Sequence, residues 1–186
     1  YPGDKKEFIT VGLESWTLWQ KLLFFPSKET EKKKDELRRL NYLVKRYLEL
    51  NENSHDAHMA NAFMGITMLG ASCEESLAHV NSAENILLTV QVLEIGANIY
   101  ARCNELEKAI ISTERALQLV PNDSNWLITG NLIVHLYRKG DFDKIYDIIV
   151  DKIIPILVSV LDKKNLERVF EKYKPNAVFH AAAYKH

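Results

Sequence analysis

The chain has 186 residues, of which 47% are apolar and 26% charged, and its formal net charge is −1. This composition is typical of one ordinary globular domain, and the nearly neutral charge argues against general attraction to nucleic acid. Seven glycines and five prolines are too few for the tight turns of an all-β fold. No signal peptide or apolar run of about 18 residues is visible. We therefore expect a cytoplasmic protein with no nucleic-acid or membrane partner.

The first predicted element is a helix over residues 4–25, which Pro26 ends. We expect residues 1–25 to pack against the helices that follow. One stripe of this helix is apolar and carries two tryptophans: Phe8, Val11, Leu13, Trp16, Trp19, Leu22 and Leu23. The next helix opens with interleaved charges from Lys28 to Arg39, which is typical of a solvated face. Its predicted buried stripe is Leu37, Leu40, Val44, Tyr47 and Leu48.

Residues 90–121 predict two antiparallel helices with a turn near Cys103–Asn104 and a stop at Pro121. One such hairpin cannot bury both of its apolar faces, so it needs similar neighbours. Residues 56–86 predict an earlier hairpin, and residues 122–153 a later one. Two pairs have the spacing of a capping box and predict the start of second helices: Ser72 with Glu75, and Asn104 with Glu107.

The central hairpin resembles a tetratricopeptide repeat, a 34-residue helix–turn–helix unit. The resemblance is carried by Ala97, Tyr100, Leu106, Ala109, Ala116 and Pro121. Three positions depart from the family pattern: Leu93 replaces a tryptophan, Thr113 replaces an aromatic residue, and Gly96 is displaced by one. The resemblance covers residues 40–153 and implies an all-α fold of antiparallel helix pairs in a right-handed superhelix.

Residues 153–186 have a different pattern, strand–helix–strand, in which the β-branched run 153–160 and a possible buried strand at 177–181 flank a helix that Asp162 can cap and Pro175 ends. The segment VLD-x3-LERVFEKYKP followed by VFHAAAYKH resembles extended short-chain dehydrogenases, in particular nucleotide-sugar 4,6-dehydratases. The resemblance implies that Asp162 lies near the adenine of NAD(P) and that residues 181–183 line the cofactor. Because the glycine-rich phosphate turn of that family is not in this sequence, we expect no working dehydratase.

Two explanations for this tail stay open, a fragment joined to the repeats or a fortuitous match. In either case we expect tertiary context to override its strand propensity. We predict helix over residues 142–161, bent at Pro155, and over residues 163–173. The domain prediction is a repeat domain at 1–153 and a mostly helical C-terminal appendage at 154–186, through which the chain could form a homodimer.

No recognisable catalytic or metal-binding constellation occurs in the repeat region. His55 and His58 share a helix face, but no further ligands complete a metal site. We expect Cys73 and Cys103 to be free thiols in a reducing compartment. No cofactor is predicted, and we expect the protein not to be an enzyme.

The predicted function is binding of a protein or peptide on the concave face of the array. By the repeat resemblance, the inward-facing positions are Glu94, Asn98, Arg102, Tyr137 and Arg138. Arg102, Arg138 and Asn98 could receive a carboxylate through charge-assisted hydrogen bonds. Two alternatives remain, a regulatory repeat domain of a larger enzyme and an inactive dehydratase fragment.

Overall fold

The computed structural model describes residues 5–120, 126–152 and 161–174. Every regular element in these ranges is helical, which confirms the predicted all-α class. The elements in chain order are α1 (Lys5–Phe24), α2 (Thr30–Leu50), α3 (His55–Met64), a π-helical turn (Gly65–Leu69), α4 (Cys73–Ile86), α5 (Val90–Arg102), α6 (Leu106–Leu119), α7 (Trp126–Lys139), α8 (Phe142–Lys152) and α9 (Lys163–Tyr173). None of these helices is long and apolar enough to cross a membrane.

The chain divides into two compact units, residues 1–145 and 146–186, with the division inside α8. The change of sequence pattern predicts a domain boundary after residue 153, eight residues later than this division. In the first unit each helix from α1 to α7 packs against the next along the chain. Antiparallel neighbours are the expected result of connections only a few residues long.

Helices α1, α2 and α3 share one apolar core. Its buried members include Leu22, Leu40, Val44 and Tyr47, and the two tryptophans of α1 pack against it. Two members of the predicted α1 stripe, Leu13 and Leu23, are exposed instead. Ion pairs join α1 to α2 beside this core: Glu7–Arg46 at 2.8 Å, Lys21–Glu36 at 2.7 Å and Glu14–Arg39 at 3.2 Å.

A second core joins α3, α4, α5 and α6. Its buried side chains are small or β-branched residues together with one methionine and one tyrosine: Met59, Ala62, Val80, Ala83, Val92, Ile99, Tyr100, Ala101 and Ala109. A third cluster places Leu93 of α5 between Ala116 of α6 and Ile128 of α7. Thr113, one of the three departures from the repeat pattern, is buried, and its hydroxyl donates to the Ala109 carbonyl at 2.8 Å.

Three residues with left-handed backbone follow the first helix of successive pairs. They are Gly70 at φ 74°, Asn104 at φ 62° and Gly140 at φ 83°, spaced 34 and 36 residues apart. After α5 and α7 the hydrogen bonding is the same: Glu105 N donates to Tyr100 O, and Asp141 N to Leu136 O. These are Schellman endings, in which a left-handed residue stops the helix. The same turn therefore recurs near the repeat length.

The Ser72–Glu75 capping box is confirmed at the start of α4, where the Ser72 hydroxyl accepts from Glu75 N and the Glu75 carboxylate accepts from Ser72 N. The Asn104–Glu107 capping box is wrong. Asn104 follows the end of α5 with a left-handed backbone, and Glu105 precedes α6 without a side-chain cap. The polar pattern is ambiguous because Asn is favoured both before a helix and after one.

The prediction of free thiols is also wrong, because Cys73 and Cys103 form a disulfide with their Cα atoms 5.6 Å apart. The pairing follows from the hairpin of α4 and α5. Three residues connect these helices, so the first residue of α4 lies beside the residue that ends α5. A spacing of 30 residues in sequence thereby becomes a contact.

In the second unit, α9 occupies the predicted residues 163–173. Asp162 caps it as predicted, accepting from Asn165 N at 3.1 Å. Residues 142–152 of the predicted helix 142–161 are helical. Pro155, the β-branched run before Asp162 and the predicted strand 177–181 lie outside the described residues.

Candidate partner-binding site

The predicted α5 residues lie along a side of the helix that turns toward α7. Asn98 is half-buried, and its amide donates to the Glu94 carbonyl at 2.9 Å. The Glu94 carboxylate accepts a hydrogen bond from Asn131 of α7, which opposes the rise in the pKa of Glu94 caused by burial. Arg102 is exposed in the last turn of α5. Of these three side chains, the arginine is the one that solvent reaches most freely.

The two α7 residues differ in their surroundings. Tyr137 is 66% exposed, and its ring meets Phe142 edge to face with centroids 5.9 Å apart. Arg138 reaches across to α5, where Nη2 donates to the Ala101 carbonyl oxygen at 2.9 Å. Ala101 directly precedes Arg102. The Arg138 guanidinium therefore reaches the C-terminal end of α5, at the residue that precedes Arg102.

This end of α5 has a negative helix terminus, which favours cations. Arg138 uses one N–H on the Ala101 carbonyl, and a guanidinium carries five N–H groups. The arrangement leaves donors of both arginines for an acceptor such as a carboxylate. Lys139 lies next in sequence and pairs with Glu107 of α6 at 2.6 Å.

A polar cluster between α4, α5 and α6 was not predicted from the sequence. The Tyr100 hydroxyl donates to Asn81 Oδ1 at 3.3 Å and lies 3.5 Å from Glu84 Oε1. Burial and the Glu84 carboxylate raise the pKa of Tyr100 to about 12. Burial also raises the pKa of Glu84, which the Arg115 charge opposes. The residues are individually unremarkable, and only helix packing brings them together.

His58 pairs with His79 of α4 instead of His55. The two Nδ1 atoms are 2.9 Å apart, and His58 Nε2 lies 3.0 Å from the Glu52 carbonyl oxygen. Burial lowers the pKa of His79, and the His58 charge adds to this. No cluster of three potential metal ligands occurs in residues 5–120, 126–152 or 161–174. The hydrogen bonds account for this histidine pair without a metal.

Asp162 is the described residue that the dehydrogenase resemblance places near a nucleotide. Both of its carboxylate oxygens are engaged by Asn165: Oδ1 accepts from the backbone N at 3.1 Å and Oδ2 from the side-chain amide at 2.6 Å. In this structure the carboxylate therefore caps α9, which is the role that the local sequence predicts for it. Residues 181–183 lie outside the described residues.

Comparison with known proteins gives one partial match. A family model described as a polysaccharide biosynthesis protein matches residues 133–186, which is less than a third of the chain. The match is consistent with the predicted resemblance of residues 153–186 to a nucleotide-sugar dehydratase fragment, and the matched segment begins earlier, within α7. No curated protein and no solved structure matches the chain.

Proposed function

We propose that this protein binds a peptide or partner helix on a tetratricopeptide-like face formed by α5 and α7, without catalysis. The observation that carries the proposal is the hydrogen bond from Arg138 to Ala101 O, which brings its guanidinium to the end of α5, one residue before exposed Arg102 in sequence. The recurring left-handed turns at residues 70, 104 and 140 support a repeat organisation. Repeat arrays commonly use such first-helix faces to bind extended or helical segments.

The proposed ligand group is a carboxylate, presented by an acidic side chain or by a peptide C-terminus. Arginine donors and a carboxylate form charge-assisted hydrogen bonds, which are stronger than neutral ones. Arg102 supplies an exposed cation, and Arg138 is held in place by its bond to Ala101. Tyr137, with its ring exposed beside Phe142, offers an apolar surface next to them. Glu94 and Asn98 already form hydrogen bonds within the protein, so we expect them to contribute less to ligand binding than the arginines.

The test measures binding of fluorescent peptides that end in a free α-carboxylate, alongside the same peptides with amidated ends. We expect the free-acid peptides to bind more tightly. The double variant Arg102→Ala, Arg138→Ala should weaken their binding by about tenfold or more, because charge-assisted bonds contribute about 1.5–3 kcal/mol each. Circular dichroism confirms that the variant is folded.

Arg38→Ala on α2 is the matched control, because Arg38 is an exposed arginine whose ion pair with Asp35 is local to its own helix. This variant should bind as the wild type does. Equal binding by the wild type and the Arg102/Arg138 double variant would remove the proposal for this face. Equal binding of acid and amide peptides would remove the carboxylate as the recognised group.

A second candidate rests on the family match to residues 133–186. In this case the C-terminal segment derives from a polysaccharide biosynthesis protein. The preceding helices would then serve as a regulatory domain of a larger enzyme. NAD(P)H or a UDP-sugar would then raise the melting temperature. The engagement of Asp162 with Asn165 leads us to expect no shift, as for an inactive fragment.

A further inference from the structure

The disulfide between Cys73 and Cys103 lies at the open end of the α4–α5 hairpin. Residues 87–89 connect these helices at the other end. Cys73 is the first residue of α4, and Cys103 is the residue at which α5 ends. The hairpin is thus closed by the disulfide at one end and by the connecting residues 87–89 at the other.

The two cysteine residues differ in exposure. Cys73 is exposed, whereas Cys103 is half-buried and packs against the core formed by α3 to α6. A small thiol can therefore reach the bridge from the Cys73 side. Exposed disulfides are the ones that reductants open most readily.

We propose that the Cys73–Cys103 bridge is a redox-controlled cross-link that fixes the α4–α5 hairpin under oxidising conditions and is opened by a dithiol. It makes the stability of the helical array depend on the redox state of its surroundings. This inference does not depend on the proposed peptide binding. It also conflicts with the expectation of a cytoplasmic location, because such bridges persist mainly in oxidising compartments.

The exchange proceeds in two balanced steps. A thiolate of the dithiol attacks Cys73 Sγ, the Sγ–Sγ bond breaks, and its electron pair leaves on Cys103, which then takes up a proton. The second thiol of the dithiol attacks the mixed disulfide and releases Cys73. The dithiol is oxidised to its own disulfide, and the protein gains two electrons and two protons.

The expected consequence is a loss of thermal stability on reduction. The bridge joins residues 30 apart in sequence and restricts the unfolded chain accordingly. For a chain of this size, the restriction corresponds to a fall in melting temperature of roughly 10 °C. The loss should concentrate at the two helix ends that the bridge holds, near residues 73–77 and 99–106.

The experiment compares the full chain, purified without reductant, before and after dithiothreitol. Intact mass and thiol titration should show no free thiols before reduction and two after it. The melting temperature should fall by the stated amount. Hydrogen exchange should increase in the two segments named above and change less in α2. The double variant Cys73→Ser, Cys103→Ser should have the melting temperature of the reduced wild type, and dithiothreitol should not change it.

Two free thiols in the air-oxidised protein would overturn the proposal, as would equal melting temperatures of the oxidised and reduced protein. If the double serine variant fails to fold, the wild-type comparison decides alone. It needs no substitution, and the hydrogen-exchange pattern distinguishes a local opening from general unfolding.

Discussion

At the residue scale, the pair His58 and His79 shows how helix packing makes the stability of the fold depend on two ordinary side chains. His58 and His79 lie on adjacent helices with their Nδ1 atoms 2.9 Å apart. A single proton between these atoms satisfies both, with His58 Nε2 donating to the Glu52 carbonyl. Glu75, one turn before His79, favours a charge there, but burial and His58 outweigh it and lower the pKa of His79. The folded protein therefore favours the neutral form of His79.

This pair predicts a pH dependence of stability. Because the pKa of His79 is lower in the folded chain than its ordinary value of about 6.5, the unfolded chain binds more protons in this window. The free energy of unfolding should therefore fall as pH drops below about 6.5. Buried His135, whose pKa is lowered by burial and by Arg138, acts in the same direction.

The variant His79→Gln distinguishes the contribution of His79 from that of His135. Gln can still donate a hydrogen bond to His58 Nδ1, but it does not titrate. Chemical denaturation between about pH 7.5 and 5.5 should show a flatter pH dependence for this variant. The difference between the curves isolates His79 from the carboxyl groups that titrate at lower pH. Parallel curves for wild type and variant would show that the pair contributes nothing to the acid sensitivity.

At the element scale, two helical glycines have opposite surroundings. A Cβ on Gly12 of α1 would lie 2.7 Å from Tyr47 Cζ and 2.9 Å from its hydroxyl oxygen. The Tyr47 ring is buried and packs on Phe8 with centroids 4.6 Å apart, so it has little room to move. A Cβ on Gly130 of α7 would meet nothing within 4 Å. Gly12 thus permits close packing of α1 on α2, whereas Gly130 faces open space.

The two alanine variants should therefore change stability with opposite sign. Gly12→Ala should lower the free energy of unfolding by about 1–3 kcal/mol, because overpacking outweighs the gain in helix propensity. Gly130→Ala should raise it by about 0.5–1 kcal/mol, because alanine favours the helix and meets no neighbour. Denaturant midpoints at matched slope measure both. An increase in the free energy of unfolding for Gly12→Ala would mean that the Tyr47 ring moves aside at little cost.

At the scale of the whole molecule, α9 of the second unit has apolar side chains that no described residue buries. Helix α9 has no buried residue, although apolar side chains follow one face at Leu166, Val169, Phe170 and Tyr173. An isolated amphipathic helix of this length is marginal in water, so its apolar face needs a surface to cover it. We propose that a second copy of the chain supplies this surface through the C-terminal region.

Light scattering coupled to size exclusion, at several protein concentrations, tests this proposal. We expect the mass to rise toward that of a dimer with concentration. Phe170→Glu should restore the monomer mass, because it puts a charge into the proposed interface. Tyr42→Glu, at an exposed aromatic residue of α2, is the control and should leave the dimer intact. A monomeric wild type at every concentration would contradict the proposal.

The amino-acid sequence by itself determined the helical class and the limits of most helices. Apolar spacing, Pro26, the Ser72–Glu75 capping box and Asp162 act within a few residues, so their effects can be predicted locally. The hairpin over residues 90–121 is of this kind. Its α5 and α6 follow directly from the apolar pattern and the turn near Cys103.

Only the tertiary structure decided which distant residues meet. The Cys73–Cys103 disulfide, the His58–His79 pair and the bond from Arg138 to Ala101 each join residues at least 21 positions apart. Local propensity carries no information about such contacts, because they depend on how neighbouring helices are rotated and aligned against one another. The candidate residues could be named from the sequence, but their partners were set by helix packing.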